Sequence, residues 1–136
     1  MYHFFTNIEN ARALVKLLVP AFMAIVFLQS GSDKLFHRSG NLAYLNDFFK
    51  NTFLKPFTSI LLTITTVLEM TAGILCTLGV IGLFTGNALC AFWGLIFSAL
   101  SFLSLLFGMR IAKDFAGSVS MATYMALNIL GLLLLI

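Results

Sequence analysis

Charged residues are scarce in this sequence, and their scarcity argues against an ordinary soluble domain. Lys, Arg, Asp and Glu together make up 10% of the 136 residues, whereas a soluble domain carries roughly 25%. Hydrophobic residues make up 60%, and the mean hydropathy is +1.03. Too little polar surface is left to cover a core in water, so we expect lipid to surround most side chains. The length suits a single domain over residues 1–136.

The sequence also lacks the motifs of several common site types. It has two cysteines and two histidines and no Cys-x-x-Cys pair, so we expect no metal site. We expect Cys76 and Cys90 to act as small hydrophobic residues, although the sequence leaves their redox activity open. The net charge of +3 comes without a basic stripe interleaved with aromatics, which argues against a nucleic-acid partner. With no nucleotide, haem or nucleophile motif, it stays open whether the chain is an enzyme.

Four apolar stretches predict four transmembrane helices, over about residues 14–30, 57–81, 88–109 and 118–136. About 20 apolar residues cross a bilayer core, and a backbone in lipid must satisfy its own hydrogen bonds, which favours helices. The first stretch lacks an A-x-A-like cleavage site, so we expect it to remain as a helix rather than be removed as a signal peptide. We therefore predict an all-α, integral membrane four-helix bundle.

The connection between the first two predicted helices carries a helical pattern of its own. Six apolar residues recur there at helical spacing, with polar residues between them: Leu42, Leu45, Phe48, Phe49, Phe53 and Leu54. Asn41 is a candidate N-cap, and Pro56 marks the start of the next helix. We predict an amphipathic helix over about residues 41–54 that lies at the membrane interface. A short helix packed as a loop would give almost the same pattern.

Lys and Arg residues are unevenly divided between the two sides of the predicted bundle. Four helices place both termini on one side, which we call side A, together with Arg12 and Lys16. The opposite side, side B, holds six cations: Lys34, Arg38, Lys50, Lys55, Arg110 and Lys113. The positive-inside rule then predicts that side B is cytoplasmic. We expect a multi-pass membrane protein with both termini on side A.

Glu69 is the most informative residue, because it is the one acid inside an apolar stretch and lies near the middle of the second helix. A charge at the bilayer centre costs at least about 2.5 kcal/mol on insertion scales, so a compensating group is expected. Its helical neighbours are small or polar, which predicts that this face points into the bundle. Those neighbours are Thr65, Thr66, Ala72, Gly73 and Cys76.

Polar residues of the third and fourth helices are expected at a similar depth. Counted inward from side B, Asn128 falls near the level of Glu69, with Tyr124 one turn nearer the surface on the same face. We predict a buried polar site around Glu69, a hypothetical proton relay, with five ligand-binding residues: Lys34, His37, Arg110, Tyr124 and Asn128. Alternatively, the Gly and Ser stripes of these helices serve only close helix packing.

Two short motifs resemble the DoxX family of small four-helix membrane proteins. The first helix ends in FLQSGSDKL at residues 27–35, and the second carries EMTAGILCTLG at residues 69–79. In that family a Gly and a Lys close the first helix, and an acid opens a Gly-rich half of the second. The family is similar in name and origin to the small subunits of thiosulfate:quinone oxidoreductase. The resemblance implies a redox-associated role, with quinone as the cofactor to consider. It also implies a multi-pass protein of the bacterial plasma (inner) membrane.

Three functional hypotheses remain open from the sequence. The first is a DoxX-like subunit associated with redox or quinone-linked chemistry. The second is a non-catalytic structural subunit that packs against a larger membrane complex, either a membrane protein partner or a homo-oligomer. The third is a small proton-coupled exporter. Small multidrug transporters carry their buried acid in the first helix, whereas residues 14–30 here contain none, which counts against the third.

Overall fold

A computed structural model describes residues 8–136, which fold as an all-helical chain with no strand in that range. Four of its five α-helices are long: α1 (Ile8–Phe36), α3 (Thr58–Phe84), α4 (Leu89–Ile111) and α5 (Phe115–Leu135). A shorter helix, α2 (Arg38–Phe48), and a 3-10 turn at Lys55–Phe57 connect α1 to α3. By length and hydropathy each of the four long helices can cross a membrane. The predicted all-α fold with four such helices is confirmed.

The first long helix extends well beyond the predicted residues 14–30. At 1.5 Å per residue its 29 residues span about 44 Å, which exceeds the roughly 30 Å of a bilayer core. Hydropathy marks the part of a helix that suits lipid, whereas backbone hydrogen bonds continue through the polar residues at either end. The extension therefore brings Glu9 and Asp33 into the helix, near its two ends. Pro20 lies inside the helix and is buried.

Small residues set how closely the long helices approach one another. A Cβ added at Gly79 of α3 would lie 2.5 Å from the Cα of Ala91 in α4, and one at Gly94 would lie 2.8 Å from the backbone nitrogen of Cys76. A Cβ at Gly131 of α5 would lie 2.4 Å from the side chain of Val19 in α1. Without a hydrophobic drive between helices in lipid, such close packing is what holds a bundle together.

The connection between α1 and α3 differs in detail from the predicted helix over residues 41–54. Helix α2 begins at Arg38 and ends at Phe48, and turns follow before the 3-10 segment. Asn41 does not act as the N-cap; that position belongs to His37, which makes no capping side-chain bond. The amide of Asn41 instead donates to the carbonyl oxygens of His37 and Asp33. The position of α2 at a membrane interface stays a prediction.

Two contacts hold this connection against the bundle. Arg38 Nη2 donates to Thr63 Oγ1 at 2.8 Å and to the carbonyl oxygen of Ser59 at 3.3 Å, which ties the start of α2 to the first turns of α3. Beyond α2, Phe49 is buried, and a Cβ added at Gly108 of α4 would lie 3.1 Å from its ring. The segment thereby contacts both α3 and α4.

Candidate functional site

Glu69 lies in a cluster with two residues of α1. Ser30 donates its hydroxyl to Glu69 Oε2 at 2.9 Å, and Lys34 Nζ lies 3.0 Å from the same oxygen. Lys34 also donates to Ser30 Oγ at 2.9 Å, which closes a triangle of polar groups. The side chain of Glu69 is 1% exposed, and that of Lys34 is 19% exposed. A buried carboxylate is therefore paired with a cation that retains some access to the surroundings.

The cluster forms because α1 and α3 touch closely on both sides of it. A Cβ at Gly31 would lie 2.7 Å from Met70 Sδ, and one at Gly73 would lie 2.9 Å from the backbone nitrogen of Leu28. Ser30 and Lys34 are one helical turn apart and so share one face of α1. At this separation, Ser30 reaches Glu69 directly, while the longer Lys34 side chain reaches back along the helix.

A cavity of about 650 Å³ lies beside the cluster. Its polar end is formed by Glu69, Lys34 and Ser30, and Asn41 and Tyr44 of α2 contribute further polar groups. Apolar side chains form most of the remaining wall: Leu45, Phe48, Phe49, Leu54, Leu61, Leu62, Ile64, Leu103, Leu105, Phe107 and Met109. A mostly apolar cleft of this volume with a few convergent polar groups is typical of a small-molecule site.

The cavity reaches the outer surface of the bundle between α3 and α4. Ile64 of α3 is 49% exposed, while Leu103 and Phe107 of α4 are 54% and 57% exposed, and all three line the cavity. Large apolar side chains exposed on a spanning helix face lipid. The cavity thus connects a buried charged cluster with a lipid-facing seam.

The hydrogen-bonding capacity of the cavity wall is not fully used. Thr65 and Ser104 donate their hydroxyls to carbonyl oxygens of their own helices. By contrast, both contacts of the Glu69 carboxylate go to Oε2, and no residue in the range 8–136 donates to Oε1. Lys34 has three N–H donors, of which its two neighbours engage two. At the polar end, Oε1 of Glu69 is therefore left as a free acceptor and one N–H of Lys34 as a free donor among residues 8–136.

The structure brings together some of the predicted site residues and separates others. Glu69 and Lys34 meet, whereas His37, Arg110, Tyr124 and Asn128 do not line the cavity. His37 is exposed at the start of α2. Arg110 is also exposed, and its guanidinium lies 4.6 Å from the centre of the Phe115 ring.

Tyr124 and Asn128 belong to the packing of α5 rather than to the cavity wall. The ring of Tyr124 stacks on Phe102 with centroids 5.5 Å apart. Asn128 is fully buried, and its amide donates to the carbonyl oxygen of Leu95 at 2.9 Å. Its side-chain oxygen has no hydrogen-bond partner among the described residues. Tyr124 and Asn128 therefore contact α4, and neither is hydrogen-bonded to Glu69.

Sequence reasoning missed Ser30 and the α2 side of the cavity. Ser30 precedes Lys34 by one turn on the same helix face, and this spacing was the signal that could have identified it. Asn41, Tyr44 and Phe48 line the cavity because the segment after α1 folds back against α3, which periodicity alone does not indicate.

The two cysteines occupy different surroundings. Both thiols are free; Cys76 is buried and Cys90 is partly buried. Cys76 Sγ lies 3.8 Å from Ser98 Oγ, within the contact between α3 and α4. Neither cysteine lines the cavity beside Glu69.

The model of one protein family, DoxX, matches residues 15–101, well over half of the chain. The chain belongs to the DoxX family. The matched range includes most of α1, all of α2 and α3, and the first part of α4, so the Ser30, Lys34 and Glu69 cluster lies inside the DoxX region. Neither the curated proteins nor the solved structures gave a match to this chain. Family membership and the four apolar helices together make this a membrane protein in contact with the lipid bilayer.

Proposed function

We propose that this DoxX protein is a membrane subunit of redox or quinone-linked chemistry, and that the cavity beside Glu69 holds the head group of a quinone. The observation that carries the proposal is a charged, hydrogen-bonding cluster at one end of an apolar cavity. Lys34 and Glu69 supply the polar end, while leucine and phenylalanine side chains supply the walls. A quinone has the same division, with polar oxygens on a ring that carries an apolar tail.

The groups at the polar end fit such a head group. The unused N–H of Lys34 suits a carbonyl oxygen, and Oε1 of Glu69 is a hydrogen-bond acceptor that no residue in the range 8–136 uses. Ser30 holds the carboxylate in place through its 2.9 Å bond to Oε2. When bound, a quinone supplies two-electron, two-proton redox chemistry. The role that we propose for Glu69 is to accept and release a proton beside the head group.

The route from the bilayer supports a lipid-soluble ligand. A quinone dissolved in the membrane would reach the cavity between α3 and α4, past the exposed side chains of Ile64, Leu103 and Phe107. Its polar head would then exchange lipid for the Lys34 and Glu69 groups.

The proposal is tested by purifying the protein in a mild detergent and extracting its bound lipids for mass spectrometry. We expect quinone to co-purify at a substantial fraction of one molecule per chain, and quinone reduction by the isolated complex to fall in Glu69→Gln. Thr77→Val is the matched control, because Thr77 is a half-buried hydroxyl of the same helix, bonded to its own backbone. Unchanged quinone reduction in Glu69→Gln would refute the proposed role of Glu69.

A non-catalytic structural role is the second candidate, and exposed apolar side chains on α5 favour it. Val119, Leu130 and Leu133 are 66%, 59% and 63% exposed, and a helix of a membrane partner or of a second copy could cover them as well as lipid could. A stable larger partner that co-purifies, with activity of the complex unaffected by Glu69→Gln, would favour this role.

We also propose a location and an orientation. The protein would lie in the bacterial inner membrane with both termini on side A. Six of the eight Lys and Arg residues fall on side B by sequence position, so the positive-inside rule places the α2 segment at the cytoplasmic face. Reporter fusions to the C-terminus, active only on one side of the membrane, test this orientation.

A further inference from the structure

The polar end of the cavity offers one hydrogen-bond acceptor that no side chain of residues 8–136 uses. Glu69 lines the cavity with a side chain that is 1% exposed, and both of its contacts converge on Oε2. An ionised carboxylate only accepts hydrogen bonds. Oε1 is therefore a charged acceptor, largely shielded from the surroundings, that a donor on the ligand can satisfy.

Lys34, beside Glu69, can supply a donor to the same ligand. The hydroxyl hydrogen of Ser30 is directed at Glu69, so Ser30 cannot donate to a ligand at the same time. Lys34 directs one N–H at Ser30 and lies 3.0 Å from Glu69 Oε2, which leaves one N–H for the ligand. The pair thus presents one acceptor and one donor side by side.

A hydroxyl group matches this pair better than a carbonyl group does. Its hydrogen can be donated to Glu69 Oε1 while its lone pairs accept from Lys34. A carbonyl oxygen can accept from Lys34 but has nothing to donate, so Oε1 would be covered by the ligand and left unpaired. Leaving a buried acceptor unpaired carries the full cost of its desolvation, which is higher for a charged group.

We infer that the cavity discriminates between the two redox states of its ligand and binds the hydroxyl-bearing quinol more tightly than the quinone. The inference rests on the proposed function and adds to it the direction of the preference. We expect the quinol to bind about tenfold more tightly or better, since a site built around a ligand hydroxyl rejects analogues that lack the donor. Glu69 sets the preference, and Lys34 contributes to the binding of both forms.

The test uses the full-length protein in lipid nanodiscs and three probes that share one ring and one decyl tail. These are decyl-benzoquinol under anaerobic conditions, decyl-benzoquinone, and the dimethyl ether of the quinol, which keeps the ring and the oxygens but has no O–H donor. Titration calorimetry gives each dissociation constant. The expected result is a quinol that binds about tenfold more tightly than both other probes. Equal affinities, or tighter binding of the quinone, would overturn the inference while the proposed function stands.

Glu69→Gln then assigns the preference to one residue. The neutral amide removes the charged acceptor, so we expect the quinol-to-quinone ratio to fall to near one, with the affinity for the quinone no weaker than in the wild type. The Thr77→Val control should keep the wild-type ratio. A preference that survives Glu69→Gln overturns the inference, and the comparison of the quinol with its dimethyl ether still decides it if that variant fails to fold. Absence of binding by all three probes would overturn both the inference and the proposed function.

Discussion

Lys34 at the end of α1 lies 3.0 Å from Glu69 near the middle of α3, and the two side chains form an ion pair in which the lysine is partly exposed and the glutamate is buried. The asymmetry has a physical consequence. Lys34 keeps some access to the surroundings at 19% exposure, so it tolerates the loss of its partner, whereas Glu69 at 1% exposure does not. Removing one partner of a buried pair is more damaging than replacing both.

This asymmetry gives the first prediction. Lys34→Met should lower the free energy of unfolding by about 3 kcal/mol, because it leaves the Glu69 charge buried beside Ser30 alone. The double variant Lys34→Met/Glu69→Gln should recover more than half of that loss, since the amide carries no charge. Equilibrium unfolding in mixed detergent micelles measures both. Losses that simply add in the double variant would contradict the coupling of these two side chains.

The close contact of α3 and α4 gives a second prediction, with a matched control. Gly79→Ala should destabilise the protein by about 1–3 kcal/mol, because the new methyl would lie within 3 Å of the backbone of Ala91. Gly40→Ala adds the same methyl in α2, where nothing lies within 4 Å, and should stabilise by up to about 1 kcal/mol. Thermal unfolding followed by circular dichroism compares them. Equal shifts of the midpoint would be inconsistent with close packing at Gly79.

The attachment of α2 gives a third prediction. Arg38→Gln should speed hydrogen exchange in the amides of residues 38–48, because the bonds to Thr63 and Ser59 tie this helix to α3. The effect on global stability should be below about 1 kcal/mol, as for other exposed charges. Lys50→Gln is the control, since its contact with Asp47 is exposed and local. Exchange that is the same in both variants would show that Arg38 does not hold α2.

Asn128 gives a fourth prediction, which separates packing from ligand binding. Asn128→Leu removes one hydrogen bond to the Leu95 carbonyl and also one buried oxygen without a partner. Because these effects oppose each other, the free energy of unfolding should change by less than about 1 kcal/mol. Quinol and quinone affinities should stay at wild-type values. A loss of affinity without a loss of stability would show that Asn128 takes part in ligand binding.

The cysteines give a fifth prediction. Cys90 is partly buried and Cys76 is fully buried between α3 and α4, so a small maleimide should modify Cys90 first and Cys76 only after denaturation. Mass spectrometry of peptides taken over a time course measures the order. The Cys90→Ser variant should then remain unmodified in the folded state. Early modification of Cys76 would show that the contact at Ser98 opens readily.

Composition and hydropathy were sufficient to predict an all-helical membrane protein with four long apolar helices. They succeed because lipid imposes one strong constraint: a chain segment that crosses it must be apolar and must satisfy its backbone internally. The motifs around Gly31, Lys34 and Glu69 were also sufficient to indicate the DoxX family, which the family match confirms. A single acid in an apolar run also singled out Glu69 before any fold was available.

The partners of Glu69 were decided by the tertiary structure. Counting residues inward from the helix ends placed Asn128 beside Glu69, because it assumed that all helices begin at the same level and stand upright. Real levels are set by contacts such as Gly31 with Met70 and Gly131 with Val19, which lock pairs of helices in register. The sequence by itself determined which segments enter the membrane and that one of them carries a buried acid. Only the packing of small residues between helices decided that Ser30 and Lys34 meet that acid.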